Sequence, residues 1–331
     1  MKELLAKMYM NLQLFAEMNT NVTGDSGLSV EMKTFYDMTL IDEAQPNLVH
    51  DQFGQKRPIP ANGGKKIEFR KFASLPKALT ALTEGVTPDG KKLTVSSIEA
   101  EVSQYGDYIV QSDVLELTTI DNTIVEATKI LGRQAGLTLD TITRNVLQSG
   151  TNVWYAPKAD GTAVTSREAL NDTCTLTVDL VKQVVADLKA NNAPKINGDY
   201  VAIIHPYVAY DLMSDPEWIE AHKYATPENI YEGEIGKVAG VRFVETSEAK
   251  VYAGGVFGCL FLADGAYGVT EITGGGLQTI VKQKGSAGTA DPLDQRSSVG
   301  WKAMKTAEIL VDPYMARVEC KSKLSAKAKA N

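Results

Sequence analysis

NGGKKIEFRKF (Asn62–Phe72) and DNTIVEATKILGRQAGLTLDTITRNVLQSG (Asp121–Gly150) bracket the stretch that decides the fold. In the first, Ile67 and Phe69 alternate with Lys66, Glu68 and Arg70, the two-residue period of a strand with one apolar side. Pro76, Gly85, Pro88, Asp89 and Gly90 then supply turn chemistry. A return strand over Leu93–Tyr105 alternates Ile98, Ala100 and Val102 against Glu99, Glu101 and Ser103, one face apolar and the other acidic. A lone two-stranded ribbon is marginal in water, so the arm Gly63–Tyr105 needs a surface to lie on. It is too long and too thinly apolar for a core hairpin. It reads as an element that leaves its own domain and lies on a neighbour.

The second stretch has a different period. Ile124, Ala127, Leu131, Ala135, Thr138, Ile142 and Val146 recur at helical spacing. Asp121 is an N-cap, Glu126 favours the positive end of the helix dipole, and Gly150 ends the run. A helix over Asp121–Ser149 would span on the order of 40 Å. Gly132 and Gly136 lie inside it and cost helix stability, which predicts the close approach of another backbone.

Outward from this core, Leu5, Met8, Leu12 and Phe15 suggest a short amphipathic helix. From Met18 to Pro60 periodicity fades, while Val30, Phe35, Leu40, Ile41, Leu48, Val49 and Phe53 remain. That is too apolar for a disordered tail and too irregular for a domain, so an extended arm packed on other chains is expected. Downstream, Asp179–Ala190 reads as a helix, Tyr200–Pro206 as a buried strand, and Tyr207–Met213 and Pro216–Tyr224 as short helices. From Gly236 to Val318 the chain is strand-rich, with Gly254-Gly255 and Gly274–Gly276 as breaks. This order is α+β with mixed sheets rather than a regular βαβ alternation. No internal repeat is evident.

The bulk properties set bounds. The chain has 331 residues, 44% hydrophobic and 23% charged, enough for one large domain or two. A net charge of −7 argues against a dedicated nucleic-acid binder. The tail Lys321–Asn331 is a local exception; its four lysines and no acids leave −11 on the remainder. Cys174, Cys259 and Cys320 are too far apart in sequence for a zinc or redox motif, and a disulfide framework is not expected. The first residues, MKELLAKMYMNLQLFAE, are broken by Lys2, Glu3 and Lys7 and lack a signal-peptide pattern, and no run is long enough to span a bilayer.

Several short motifs favour structure over chemistry. GDSG (Gly24–Gly27) resembles a serine-protease nucleophile loop but lacks a His/Asp context, and a turn is expected. Gly236-Lys237 lacks the rest of a phosphate-binding loop, and Gly274–Gly276 is not GxGxxG. His50, His205 and His222 have no acid or cysteine at ligand spacing, so His205, before Pro206, is expected to be structural. Asp291, Asp294 and Arg296 predict a salt-bridged turn. No catalytic, cofactor-binding or metal-binding residue is assigned.

Taken together, MNLQLFA (Met10–Ala16), Asn62–Phe72, Asp121–Leu147, IIHPYVAYDL (Ile203–Leu212) and DPLDQRSSVGWK (Asp291–Lys302) resemble tailed-bacteriophage major capsid proteins of the Hong Kong 97-type fold. Within that group they resemble the family typified by the coat protein of phage N-four. The resemblance covers roughly Met10–Ser322. It implies an N-terminal arm (1–56), an extended loop with flanking strands (57–110), a peripheral domain with a spine helix (111–178), an axial domain (179–272) and a return to the peripheral domain with a basic tail (273–331). It implies no enzyme activity and no cofactor. The implied function is self-assembly, as hexamers and pentamers, into the icosahedral head around a double-stranded DNA genome.

On that reading, subunit contacts are expected from Ile67, Phe69, Phe72, Val95, Ile98, Val102, Phe35 and Phe53. Lys321, Lys323, Lys327 and Lys329 would face DNA without sequence preference. The implied partners are copies of the chain, a separate scaffolding protein, a portal and a decoration protein, with no membrane. The separate scaffold is expected because only residues 1–56 precede the loop, whereas relatives with a built-in scaffolding domain carry a long extra N-terminal segment. Assembly is expected in the bacterial host cytoplasm, and the mature location is the virion. Two alternatives are an encapsulin-type nanocompartment, which shares the fold, and a cytoplasmic hydrolase built around His205.

Overall fold

The computed structural model describes residues 40, 43, 48–60, 62–72, 75–81, 84, 85, 87, 89–118, 123–222, 236–286 and 291–331. The expected helix at Leu5–Phe15, GDSG at Gly24–Gly27, Phe35 and the N-cap Asp121 lie outside them.

After a two-residue strand β1 (Gln55–Lys56), β2 (Lys66–Phe72) and β3 (Val95–Glu101) form the predicted hairpin, with Phe69 opposite Ile98 and Ile67 opposite Ala100. A single residue, Val102, separates β3 from β4 (Ser103–Ser112). A short helix α1 (Asp113–Thr118) leads to the long helix α2 (Thr123–Leu147) and to β5 (Val153–Tyr155). The rest runs α3 (Val178–Ala190), β6 (Tyr200–Ile204), α4 (Pro206–Met213), α5 (Pro216–His222), β7 (Lys237–Val238), β8 (Val241–Glu245), β9 (Lys250–Tyr252), β10 (Val256–Leu262), β11 (Tyr267–Glu271), β12 (Gln278–Lys282), β13 (Arg296–Ile309) and β14 (Met315–Cys320).

Two sheets carry the body. In the first, the fourteen-residue β13 pairs with β4 on one side and with β11 and β12 on the other, and β1 extends it beyond β11. In the second the order is β5-β14-β10-β6-β8-β7, with β9 on β10. β5, from mid-chain, and β14, near the C-terminal end, pair side by side at one edge of this sheet. β5 and β14 fall outside 179–272, while β11, inside that range, belongs to the first sheet. The sheets therefore cross the segment boundaries read from sequence.

The cores follow from burial. β6 and β10 are buried along their whole length, which is why they read as unbroken apolar runs. Ala202, Ile204 and Phe261 face α3, α4 and Trp218 of α5 in the largest core. Val201, Ile203, Leu260 and Leu262 face the other way, onto Tyr267, Met315 and Leu147 at the end of α2. A third core lies where α2 crosses the first sheet, with Leu131, Ala135 and Leu139 on Val299, Trp301 and Ala303.

The buried face of α2 is rotated from the stripe read in sequence. Thr138, Ile142 and Val146 are only half-buried, whereas Leu139, Asp140, Thr143 and Arg144 are covered. Polar groups occupy the covered face because a buried network waits for them there. Gly132 behaves as expected. A side chain at that position would come within 2.8 Å of the Leu40 carbonyl oxygen, so the arm crosses the helix at the glycine.

Candidate assembly surfaces

The hairpin is keyed into its own body at the base. Phe69 is buried, and its ring lies 3.0 Å from where a β-carbon at Gly268 of β11 would stand, so only glycine leaves the ring room. The Arg57 guanidinium sits 5.8 Å from the same ring. Ala100 and Val102 are buried as well, and Ile67 and Ile98 are half-covered. This changes the expectation for the contact residues. Phe69 and Val102 are covered by the chain that carries them, and of the strand residues Val95 is the exposed one, at 48%. The side chain of Phe72 lies outside the description. On the opposite face the acidic side of β3, with Glu99 and Glu101 exposed, meets basic residues of β2: Lys66 pairs with Glu99, and Arg70 pairs with Glu68 within β2.

Beyond Val95 the hairpin leaves the body. Leu75, Leu79 and Leu93 are 52%, 86% and 67% exposed. These leucines stand among turn residues and follow no period, so pattern reading passed over them.

The arm enters the body through a buried polar node. The His50 Nδ1 lies 2.6 Å from Asp140 Oδ2, and the His50 amide donates to Asp140 Oδ1 at 2.7 Å. Both residues are fully buried. Next to them Thr143 donates its hydroxyl to Asp51 at 2.6 Å, Lys305 pairs with Asp51 and donates to the Leu139 carbonyl at 3.0 Å, and the Tyr267 hydroxyl donates to the His50 carbonyl. Burial, with Asp51 and Asp140 nearby, raises the Tyr267 phenol well above its ordinary value. Ninety residues separate His50 from Asp140, so the search for a partner at ligand spacing could not find it. Phe53, expected at a subunit contact, is half-buried against the core below Tyr267, with Arg242 over its ring.

The other singled-out residues are structural. His205 caps α4, with its Nδ1 accepting from the Tyr207 amide at 3.1 Å and its ring packed on Tyr207 and Phe257. Burial lowers its basicity. An imidazole held as an acceptor by a backbone amide does not serve as a general base, which removes the hydrolase reading. Asp291 and Arg296 form the expected turn: the Arg296 amide donates to the Asp291 carboxylate at 2.8 Å, and the charges meet at 3.7 Å. All three cysteines are free and buried. The fold nevertheless brings Cys259 and Cys320 within 3.8 Å across β10 and β14, a proximity that sequence spacing concealed.

The basic tail is not a loose end. The Lys321 amide donates to the Cys174 carbonyl at 2.8 Å, and its ammonium pairs with Asp172. Ala328 packs on the large core, and Asn331 exchanges hydrogen bonds with Val251 and donates to Ala249. Lys323, Lys327 and Lys329 remain exposed. Among the described residues, no group of three or more His, Cys, Asp or Glu could hold a metal ion, and no helix is long and apolar enough to cross a membrane.

A projecting hairpin, a long helix laid across one sheet and a second, doubly covered sheet define a Hong Kong 97-like capsid fold. Residues 95–317 match the model of a family described as phage capsid protein, and the chain belongs to that family. It is a major capsid protein, a structural component of the virion shell rather than an enzyme. No curated protein matches the sequence closely enough to add to this. Among solved structures it is similar to the capsid of cyanophage P-SCSP1u, with TM-score 0.66 and 15% identity over 83% of this chain and 88% of that one. It is also similar to the capsid of Ralstonia phage GP4, with TM-score 0.62 and 14% identity over 83% and 88%. A virus-like particle from Pyrococcus furiosus aligns with TM-score 0.51 and 12% identity over 87% and 99%. At these identities the likeness is one of fold. The family match favours the phage shell over the nanocompartment.

Proposed function

We propose that copies of this chain tile as hexamers and pentamers into an icosahedral head that encloses double-stranded DNA. One observation carries the assembly reading: a two-stranded hairpin that projects from its body with Leu79 at its tip 86% exposed. Such a ribbon gains little on its own, so it is built to be covered by another copy. Each subunit then makes many modest contacts, and their number rather than their individual strength holds the shell. Closed symmetry sets its size.

In this layout residues 1–56 form the arm, 57–110 the extended loop, 111–178 and 273–331 the peripheral domain, and 179–272 the axial domain around the five- and six-fold axes. Val95, with the half-covered Ile67 and Ile98, contributes to subunit contacts, and Phe35 and Phe72 remain candidates for the same role. The exposed Lys323, Lys327 and Lys329 would touch packaged DNA through phosphates, while the acidic remainder lets the genome slide. A scaffolding protein, a portal and a decoration protein are the further partners, with assembly in the host cytoplasm.

Electron microscopy of the purified protein beside size-exclusion chromatography tests this. Shells, tubes or hexamer-sized capsomers are the expected result. A strictly monomeric or dimeric protein, even with a candidate scaffold co-expressed, would overturn it.

A further inference from the structure

Cys259 and Cys320 are diagonal neighbours on the ladder between β10 and β14: Cys259 stands opposite Val318, and Phe257 opposite Cys320. Both side chains turn into the large core, where their sulfurs lie 3.8 Å apart in a thiol–thiol hydrogen bond. A disulfide needs about 2 Å between sulfurs. Diagonal partners on a ladder start farther apart than directly opposite ones, so bonding them requires one strand to shift. Cys320 is placed to do so, because it is the last residue of β14.

The tail holds that strand end. The Lys321 amide is bonded to the Cys174 carbonyl, and the Lys323 amide donates to the buried Asp211 carboxylate at 3.1 Å. Ser325 crosses Gly255 so closely that a β-carbon there would stand 2.8 Å from the Ser325 carbonyl oxygen. Asn331 ties the far end to Val251 and Ala249. With the tail down, both sulfurs are covered. The hydrogen bond with Cys259, burial, and the Asp211 and Glu319 carboxylates raise the Cys320 thiol well above its ordinary value. Only the thiolate attacks a disulfide, so the covered pair is also unreactive. Lifting the tail changes access, strand position and reactivity together.

We propose that Cys259 and Cys320 are a tail-gated disulfide site, reduced while the tail lies on β9 and cross-linked by a low-molecular-weight disulfide when the tail lifts. The Cys320 thiolate attacks one sulfur of the reagent and expels one thiolate. The Cys259 thiolate then attacks the Cys320 sulfur of the mixed disulfide and expels the second. Two cysteines are oxidised, the reagent is reduced to two thiols, and these take up the two protons the cysteines lose. The bond joins residues 61 apart in sequence, and closing a long loop removes freedom from the unfolded chain. Reducing surroundings keep the pair open and oxidising ones close it. The site does not rest on the assembly reading, since one chain contains all of it.

The test incubates the full-length protein with oxidised glutathione, denatures it with an alkylating agent and reads intact mass and peptides. The expected result is Cys174 alkylated, and Cys259 and Cys320 joined in one peptide pair. The bridge should form several-fold faster in Asn331→Ala, and the melting temperature should rise with bridging and fall back with reductant. Three alkylated cysteines after prolonged exposure, or glutathione held on Cys320 without a bridge, would overturn the site. Equal bridging rates in the two proteins would overturn the gate. Should Asn331→Ala not fold, dilute urea loosens the tail of the wild type instead, and a bridging rate that does not rise with urea would overturn the gate in the same way.

Discussion

Asp140 stands in the middle of a helix, fully buried, and accepts from both the backbone and the ring of His50. Removing it strands two buried groups of the arm, and leaving one member of a buried pair alone typically costs about 3–5 kcal/mol. Asp140→Ala should therefore lower unfolding stability by about 3 kcal/mol in chemical denaturation, with the double variant His50→Leu/Asp140→Leu losing less than the sum of the singles. An unchanged midpoint for Asp140→Ala would show that the node is not structural. His205 gives a pH-dependent case. Burial holds its folded basicity below the ordinary value, so the neutral, capping form is favoured in the folded state. That contribution is complete above a pH of about 6.5, where the unfolded chain is also neutral, and is lost as pH falls through the lowered folded value. Subtracting the stability profile of His205→Asn, which keeps a cap and removes the titration, should isolate a decline confined to that acidic window. Parallel profiles would reject it. His205 could be judged structural from sequence because no acid or cysteine stands at ligand spacing from it; that it caps α4 came from the fold. The His50–Asp140 pair could not be found, since its two partners meet only after α2 and the arm cross.

At the scale of elements, α2 is held in place by what crosses it. Gly132→Val would drive a β-carbon into the Leu40 carbonyl, an overpacking cost of about 1–3 kcal/mol. It should loosen the arm, read as faster amide exchange over Leu48–Phe53; unaltered protection there would mean the arm is anchored elsewhere. The tail is a second clasp. Asn331 bonds the edge of β9 and Ala328 packs on the core, so deleting residues 324–331 should raise exchange at Lys250–Tyr252 and lower the melting temperature by a few degrees. Equal exchange in the deleted and full chains would reduce the tail to a solvated end. Helix α2 and the hairpin were legible because each keeps one period over many residues. The rotation of the buried face of α2 was not, because Asp140, Thr143 and Arg144 do not look like core residues until their partners are in place. Arg144 illustrates the point: it is buried, donates to the Glu248 carbonyl at 2.7 Å, and has its basicity lowered by burial and partly restored by Glu248 and Asp140.

At the scale of the whole molecule, the body and the hairpin separate stability from assembly. The tip residues Leu75, Leu79 and Leu93 are exposed, so replacing residues 73–94 with a two-residue turn should leave the melting temperature of the isolated subunit nearly unchanged. The same change should abolish closed shells in electron microscopy. Shells of normal size from the shortened protein would remove the hairpin from the assembly mechanism.

The sequence by itself determined the kinds of elements and the family: the ribbon, the long helix, the buried strands and the order of the motifs are local periodicities and turn chemistries, and each is written in consecutive residues. The tertiary structure decided which apolar residues stay free. Phe69 and Val102 look as available as Leu79 in the chain, yet Gly268 makes room for the Phe69 ring and the body covers it, while no described part of the body covers Leu79. Burial is a property of what lies opposite, and opposition across Tyr108, Gly300 and Ile280, or between His50 and Asp140, joins residues far apart in sequence.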